Sequence, residues 1–349
     1  MNEKNQAKVA KLEAQLADLN IAIDAEKDDS KKQKMIAKRI KLKNKLMLAR
    51  NNRILGRAGK RNLIAYSFIA PNFIGFCVFT LVPIIFAFAL AFMKWDGNNE
   101  ASFVGISNFT RLATDTFFLS ALKNTIIYVI GTVPLTMAAS LGLAIVLNQK
   151  VVARGFFRTV AFFPYVASLV AITSVWSMIF HPSKGPVNYI LYTVFHVEQN
   201  NLPKWFSGSL VLLTFILFSV WKYMGYYMLI YLAGLQGISE ELYEAADLDG
   251  ASAWQKFIYV TIPQLRGTSF FVLVMLTINC FKVYDIAVML AGGGDGKLSN
   301  SATVLVYYIY QNAFNYWDLG YSSAIAMVLF LIVLAVTLVQ FRYEKHIAD

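Results

Sequence analysis

Residues 236–263 read QGISEELYEAADLDGASAWQKFIYVTIP, and this polar stretch lies between two apolar runs of the chain. Its pattern predicts two short helices joined by a sharp corner. Ser239 is placed to cap the first helix, because a serine oxygen accepts hydrogen bonds from free N–H groups of the first turn. Gly250 suits the left-handed conformation that ends a helix. Pro263 then ends or kinks the second helix.

The corner also carries a second capping signal and a set of small and acidic side chains. Ser252 is followed three residues later by Gln255, which is the spacing of a capping box. We interpret the first helix as a compact surface that a cytoplasmic partner can approach closely; the alternative is a well-capped loop at the membrane interface. The small and acidic positions of this surface are Leu242, Glu244, Ala245, Ala246, Asp247 and Asp249.

Outward from this stretch, the chain divides into a basic tail and an apolar body. Of 349 residues, 57% are hydrophobic and 15% are charged, whereas a soluble protein carries about 25% charged residues. Residues 1–62 hold 17 Lys/Arg and 7 Asp/Glu, so the tail accounts for nearly all of the net charge of +11. This composition excludes a disordered chain, a disulfide scaffold and an ordinary water-soluble enzyme, and it favours a polytopic membrane protein.

Six segments have the roughly 20 apolar residues that a membrane-spanning helix needs. We therefore predict an all-α protein in which residues 63–345 form a domain of six transmembrane helices, preceded by a basic helical extension at residues 1–62. Pro71 and Pro83 predict a kink in the first span. The predicted spans cover about 63–93, 120–147, 157–180, 209–235, 265–290 and 321–341.

The distribution of Lys and Arg predicts the orientation, because cytoplasmic loops carry an excess of these residues. With the N-terminus inside, the predicted inner segments hold seven Lys/Arg besides the tail, and the longer outer loops hold five. Both termini and residues 236–263 are therefore predicted to be cytoplasmic.

The tail has a helical pattern of its own. Apolar residues recur on one helical face, residues 28–30 predict a break, and a basic amphipathic stretch continues to about Arg50. Two interpretations stay open: a helical hairpin that contacts a cytoplasmic partner, or a basic tether near anionic lipid headgroups. The apolar positions of the first helix are Leu12, Leu16, Leu19 and Ile23.

The stretch 236–263 resembles the cytoplasmic signature of ABC importer permeases, which is Glu-Ala-Ala, three residues, Gly, nine residues and Ile-x-Leu-Pro. Segments 281–285, 290–294 and 307–314, together with Phe163-Pro164, resemble carbohydrate importers of the maltose-permease type. The resemblance covers roughly residues 63–345. The positions that match the signature are Glu244, Ala245, Ala246, Gly250, Val260, Ile262 and Pro263, with Val and Ile in place of Ile and Leu.

This resemblance implies a type I importer permease in a bacterial or archaeal cell membrane. It implies a second homologous permease subunit, a cytoplasmic ATPase dimer that binds ATP and Mg, and an extracellular solute-binding protein that delivers a carbohydrate. Membrane lipid is the remaining expected partner, and nucleic acid is not expected. The short helix would dock on the ATPase in a mechanical, not a catalytic, role. The coupling residues would be Glu244, Ala245, Ala246, Asp247, Asp249, Gly250 and Pro263.

Polar and charged groups inside predicted spans are candidates for a transport path, because such groups are costly in lipid. Aromatic rings beside hydrogen-bonding groups suit sugars, and the resemblance also places a sugar site on spans four and five. The alternatives are an interfacial aromatic belt and a structural ion pair between Lys282 and Asp285. The candidate path residues are Ser219, Lys222 and Tyr223 on one face of span four, and Asn279, Lys282 and Asp285 in span five.

Three other functions compete with a sugar importer. A permease of the same architecture could carry a non-sugar solute. A stand-alone secondary transporter often has paired internal repeats with broken helices, which this sequence lacks. A membrane-embedded enzyme needs a catalytic set, and no serine–histidine–carboxylate set or metal-ligand spacing is present; the glycine-rich run 292–297 also fails the phosphate-loop pattern. We expect no enzyme activity, metal or cofactor on this chain.

Overall fold

The protein is described by a computed structural model over residues 3–26, 28–50, 57–149, 152–291 and 299–348. The described ranges are mostly helical, which confirms the predicted all-α class, and their only sheet has two short strands. The glycine-rich run at 292–297 lies outside the described residues. Residues 1–84 and 85–349 form two compact units.

The helices are numbered in chain order. The first group contains α1 (Glu3–Ala25), α2 (Asp29–Arg50), α3 (Arg57–Phe76), α4 (Val82–Leu90), α5 (Ser107–Thr114), α6 (Thr116–Asn148), α7 (Arg154–Val166), α8 (Leu169–Ile179) and α9 (Pro186–Thr193). The second group contains α10 (Val211–Gln236), α11 (Glu240–Leu248), α12 (Ala253–Lys256), α13 (Ile262–Gln264), α14 (Arg266–Phe281), α15 (Asp285–Ala291), α16 (Leu305–Tyr310) and α17 (Leu319–Ala348). Strand β1 (Met93–Lys94) pairs antiparallel with β2 (Ser102–Phe103).

In the first unit, α1 and α2 form a helical hairpin. Asp28 starts the second arm, since its carboxylate accepts the N–H of Ser30 at 3.0 Å. Val9 and Ile23 are buried, so the apolar face of α1 predicted from the sequence is the face that packs within the hairpin. The described residues of the tail are helical, as predicted.

Two π turns lie directly before prolines. Cys77–Leu81 ends two residues before Pro83, and Phe257–Thr261 ends two residues before Pro263. A proline ring clashes with the carbonyl four residues earlier in a regular helix, and the wider turn relieves that clash while the chain stays helical. The first span therefore has a π turn beside Pro83, while Pro71 lies inside α3.

Four described helices are long and apolar enough to cross a membrane: Asn62–Leu90, Thr116–Asn148, Gly208–Gln236 and Leu319–Lys345. Two bent pairs of helices raise the number to six when each pair is counted as one span. These pairs are Arg154–Val166 with Leu169–Ile179, bent by 97°, and Ala253–Gln264 with Arg266–Phe281, bent by 66°.

Two of the predicted spans are interrupted by helix breaks. The prediction of one continuous span at 157–180 is wrong, because α7 ends at Val166 and Ala167 takes an extended conformation. The prediction for 265–290 is wrong at its end, because α14 stops at Phe281 and a new helix, α15, starts at Asp285. Hydropathy alone shows neither break.

The core of the second unit lies between α6 and α10, with α7 and α14 packed against this pair. Tyr128, Phe215 and Phe218 are fully buried there. Gly225 permits the contact between α10 and α7, because a Cβ at this position would lie 1.8 Å from the carbonyl oxygen of Ala161. Packing of these helices therefore fixes where α7 lies.

A polar cluster at one end of the second unit joins α5, α6, α16 and α17. Asp115 caps α6 through the N–H groups of Phe117 and Phe118, and it accepts hydrogen bonds from the hydroxyls of Tyr308, at 2.6 Å, and Tyr321. Burial acts to raise the pKa of Asp115, but these hydrogen bonds outweigh it and lower the pKa below its ordinary value.

An ion pair reinforces the same end of the unit. The guanidinium of Arg111 lies 2.7 Å from a carboxylate oxygen of Asp318 and 3.8 Å from the centre of the Tyr321 ring. Because a cation stacked on an aromatic face is attracted by the ring, Arg111 holds the start of α17 through both contacts.

Candidate coupling surface and transport path

The corner after α11 has the geometry predicted from Gly250. This glycine has φ +74°, the left-handed region in which an L side chain is strained. Its N–H donates to the carbonyl of Asp247 at 3.1 Å, and the N–H of Ala251 donates to the carbonyl of Ala246 at 2.9 Å. These two bonds form a Schellman motif, which satisfies carbonyls at the helix end and fixes the turn.

The start of α12, the second arm of the corner, is capped as predicted. The start of α11, the first arm, lacks the predicted side-chain cap. Ser252 and Gln255 form the predicted capping box. Ser239 has the extended backbone of a cap, but its side chain makes no capping hydrogen bond. The first turn of α11 instead holds Glu240 and Glu241, whose negative charge compensates the positive end of the helix dipole.

Two side-chain contacts join the arms, and sequence analysis missed both. Lys256 lies 2.6 Å from a carboxylate oxygen of Asp247 in an ion pair. The hydroxyls of Tyr243 and Thr261 are hydrogen-bonded at 2.9 Å, and Thr261 is buried. Each pair is separated by a corner in the chain, so helical spacing gave no signal for either. Together with the caps, these contacts make the corner one rigid body.

The outer surface of this corner is exposed, acidic and partly apolar. Glu244, Ala245 and Asp249 are exposed. At the tip, the side chain of Leu248 is 91% exposed and that of Trp254 is 66% exposed. No side chain of α11 is buried. An exposed helix with large apolar side chains at its tip has the composition of a contact surface.

Pro263 follows the corner in the chain and lies shortly before α14 of the apolar body. Pro263 lines an apolar cavity of about 470 Å³ together with residues of α14 and α17. The lining includes Ile262, Phe270, Val339 and Tyr343. Of the seven predicted coupling residues, six lie in α11 or at its end, and Pro263 lies where the second arm meets α14.

The predicted path residues are distributed over different environments. Ser219 is fully buried, and its hydroxyl is hydrogen-bonded to that of Tyr128 at 2.7 Å. This bond joins α10 to α6 in the middle of the core, so the structure gives Ser219 a packing contact.

Lys222 contacts the C-terminal end of α7, where the chain bends before α8. Its Nζ lies 3.4 Å from the carbonyl oxygen of Pro164 and 3.3 Å from that of Tyr165. The last carbonyls of a helix lack partners within the helix, and a cation near this end stabilises them. The ammonium therefore supports the 97° break, a role that the sequence did not indicate.

An aromatic cluster surrounds this lysine and connects it to α14. The rings of Tyr165 and Tyr226 are stacked with centroids 4.5 Å apart, and the ring of Tyr223 lies 6.3 Å from that of Tyr165. Asn279 donates to the hydroxyl of Tyr227 at 3.3 Å. The structure thus brings Lys222, Tyr223 and Asn279 to one aromatic cluster. Tyr165 is the member that sequence analysis missed, although it directly follows the quoted Phe163-Pro164.

Lys282 and Asp285 lie at the break between α14 and α15. Both side chains are exposed, and they form no ion pair among those found in the described part of the chain. Lys282 and Asp285 are three residues apart, so they would share a helical face only if α14 continued through both of them. Because the helix stops at Phe281, the proposed structural pair is corrected to two separate exposed charges.

The sequence profile of the family described as "binding-protein-dependent transport system inner membrane component" matches residues 138–349. The chain belongs to this family. The matched region contains the exposed corner, the broken helix and the aromatic cluster. The permease is therefore a membrane-spanning subunit of an ABC importer, and a stand-alone secondary transporter is no longer a competing interpretation.

Curated relatives and a solved structure agree with this assignment. The permease is 35% identical over 79% of its length to the arabinooligosaccharides transport system permease protein AraP of Bacillus subtilis, covering 87% of that protein. It is 32% identical over 82% of its length to the sn-glycerol-3-phosphate transport system permease protein UgpA of Agrobacterium fabrum, covering 96% of it. A chain of a bacterial ABC transporter that imports the acidic polysaccharide alginate has the same fold, with a TM-score of 0.72 and 22% identity, over 83% of the permease and 98% of that chain.

Proposed function

We propose that the permease forms half of the translocation path of an ATP-driven importer of a sugar or oligosaccharide. Support comes from AraP, a relative named for arabinooligosaccharide transport, and from the aromatic cluster around Tyr165 and Tyr226. Stacked rings beside an amide and an ammonium offer apolar and hydrogen-bonding surface to a sugar. The other half of the path is a second homologous permease.

The second candidate is a non-sugar or phosphorylated solute. UgpA, the other relative, is named for sn-glycerol-3-phosphate transport, and Lys222 and Lys282 could attract an anionic substrate. The two candidates differ in what the partner binding protein retains, so a binding screen on that protein separates them.

The proposed coupling step uses the corner formed by α11 and α12. The single observation that carries it is that α11 is exposed while its far end is locked by the Schellman motif, the capping box and the Asp247–Lys256 ion pair. A rigid exposed helix transmits displacement, whereas a flexible loop would absorb it. Glu244, Ala245, Ala246, Asp247, Asp249 and Gly250 form the contact with an ATPase, and Pro263 passes the movement to α14.

ATP and Mg bind to the ATPase dimer, and hydrolysis takes place there. The permease contributes mechanical coupling and the path, without a cofactor or catalytic residue of its own. In this arrangement the tail, the corner and the C-terminus are cytoplasmic, and the binding protein docks on the opposite side of the membrane. A periplasmic binding protein accompanies the alginate transporter in a solved complex.

The experiment is purification of the tagged permease from native membranes in mild detergent, followed by identification of the co-purifying subunits and reconstitution in proteoliposomes. We expect an ATPase and a second permease, and uptake that requires ATP inside and the binding protein outside. Uptake by the permease alone would refute the proposal. A screen of the binding protein against neutral oligosaccharides, uronic acid oligosaccharides and sn-glycerol-3-phosphate then decides the substrate class.

A further inference from the structure

The outer face of α2 has an apolar stripe that the hairpin leaves uncovered. The half-buried side chains of α2 include Met35, Leu42 and Leu46, and these share the helical face that packs on α1. Ile40 and Met47 are seven residues apart, so they share another face. Their side chains are 55% and 58% exposed.

Basic residues lie beside this stripe on one side and on the far side of the helix. A row of exposed lysines follows helical spacing along α2, about 140° around the helix from the stripe, and a second basic row lies directly beside the stripe. In all, α2 holds nine Lys/Arg against the single acid Asp29, whereas α1 holds three Lys/Arg and four Asp/Glu. The first row is Lys34, Lys38, Lys41 and Lys45, and the second includes Arg39 and Lys43.

From this face we infer that α2 docks on the anionic lipid surface of its own membrane, with Ile40 and Met47 among the acyl chains and the adjacent Arg39 and Lys43 at the headgroups. An apolar stripe beside basic residues suits a helix that lies in the membrane interface, and basic clusters beside a span attract anionic lipid. The weakly acidic α1 covers a different face of α2, the one that carries Met35, Leu42 and Leu46. This decides between the two interpretations of the tail that the sequence left open.

The position of α2 in the chain allows this docking. Residues 51–61 separate the end of α2 at Arg50 from the start of the first apolar span at Asn62. Residues 57–61 already belong to α3, so this link reaches at most about 30 Å, and the bilayer surface is the nearest large anionic surface to α2. A nucleic acid would satisfy the lysines but would leave the two exposed apolar side chains in water.

The test uses the full-length permease in nanodiscs of phosphatidylcholine, with or without one-third phosphatidylglycerol. A nitroxide is attached at Ile40→Cys or Met47→Cys in a Cys77→Ser background, in which the remaining Cys280 is buried. Ala14→Cys on the exposed outer face of α1 is the matched control. Accessibility to oxygen and to a water-soluble nickel complex reports whether each label lies in lipid or in water.

We expect the labels at positions 40 and 47 to enter the lipid only in discs that contain phosphatidylglycerol, and the label at position 14 to stay in water. The double variant Arg39→Gln/Lys43→Gln should reduce the docked-to-free ratio roughly 25-fold, at about fivefold for each residue, while circular dichroism shows unchanged helix content. High salt should have the same effect, since it screens exposed charges.

Three results would overturn the inference: labels at 40 and 47 that stay in water in anionic discs, equal protection in neutral discs, or protection that needs added ATPase or RNA. The last result would assign the face to a macromolecular partner. None of these results depends on transport, so the inference can fail while the proposed importer function stands.

Discussion

The ammonium of Lys256 lies 2.6 Å from a carboxylate oxygen of Asp247, nine residues earlier in the chain, and this ion pair closes the corner around Gly250. An acid that sequence analysis assigned only to contact with a partner is thus also used within the chain. The pair keeps α11 and α12 at a fixed angle.

Breaking this pair should reduce coupling more than stability. We expect Lys256→Met to lower the free energy of unfolding by less than about 1 kcal/mol, because an exposed ion pair contributes little. Uptake per ATP hydrolysed, measured in proteoliposomes, should fall because the corner loosens. The charge-swapped variant Asp247→Lys/Lys256→Asp is the control, and it should recover part of the loss. If the charge-swapped variant loses as much uptake per ATP as Lys256→Met, the proposed role of the pair is wrong.

The left-handed conformation of Gly250 predicts the effect of a side chain there. Gly250→Val should cost about 1–2 kcal/mol in local backbone strain, which displaces the end of α11. Uptake should fall at least tenfold, while membrane insertion, measured by the amount of permease in purified membranes, stays the same. Gly208→Val is the matched control, since Gly208 also has a positive φ, of +65°, with no atom within 4 Å of a new Cβ. Equal loss of uptake in both variants would show a general folding defect.

Lys222 has two proposed roles with different readouts. If it supports the end of α7, Lys222→Met should lower the melting temperature, because unsatisfied buried carbonyls cost about 1–3 kcal/mol. Lys222→Arg keeps the charge and the donors and should restore the stability. If Lys222 also contacts an anionic substrate, the apparent KM for uptake should rise in the Met variant. A Met variant of unchanged stability would remove the structural role.

A side chain at Gly225 should disturb the packing of α10 on α7, whereas a side chain at Gly142, another helical glycine, should not. Gly225→Ala places a methyl group 1.8 Å from the carbonyl oxygen of Ala161, so α7 must move away, at a cost of about 1–3 kcal/mol or more. Gly142→Ala in α6 has no atom within 4 Å and should be neutral or stabilising by up to about 1 kcal/mol, from helix propensity. Thermal unfolding in detergent measures both. Equal melting temperatures for the two variants would contradict the close contact between α7 and α10 at Gly225.

Asp115 predicts a pH dependence of stability. Its pKa is lower in the folded protein than in the unfolded chain, where it is about 3.9. The folded state therefore gains stability from this group above pH 4 and loses it as the pH falls through the folded pKa. Asp115→Asn should lower the melting temperature at pH 7 and flatten its decrease between pH 5 and about 3.

Two further variants make the Asp115 result specific. Tyr308→Phe removes one of the two tyrosine hydrogen bonds and should give an intermediate decrease. Asp18→Asn, at an exposed position of α1, should leave the pH profile unchanged. A profile for Asp115→Asn that runs parallel to that of the native protein would show that this carboxylate does not contribute to the pH dependence.

Local chemistry explains why the corner could be predicted in such detail. Gly250, Ser252 and Gln255 act on backbone groups within a few residues, so their spacing in the sequence contains the structural information. Ser239 shows the limit of this reasoning, since its backbone has the cap conformation but its side chain does not form the bond.

The breaks in the predicted spans depend on distant residues instead. The end of α7 is supported by Lys222, which lies 57 residues after Tyr165, and by the close packing at Gly225. Hydropathy averages over a window and contains no information about such contacts. For the same reason the bond between Ser219 and Tyr128, from α10 to α6, and the aromatic partner Tyr165 became evident only from the fold.

The 97° corner between α7 and α8 also restricts which surroundings the permease can have there. Acyl chains offer no donor to a carbonyl group, so irregular backbone at membrane depth persists only beside protein or water. Lys222 offers a donor to two carbonyls at this corner from within the chain. An apolar replacement of that lysine would therefore leave them to water or to a neighbouring subunit.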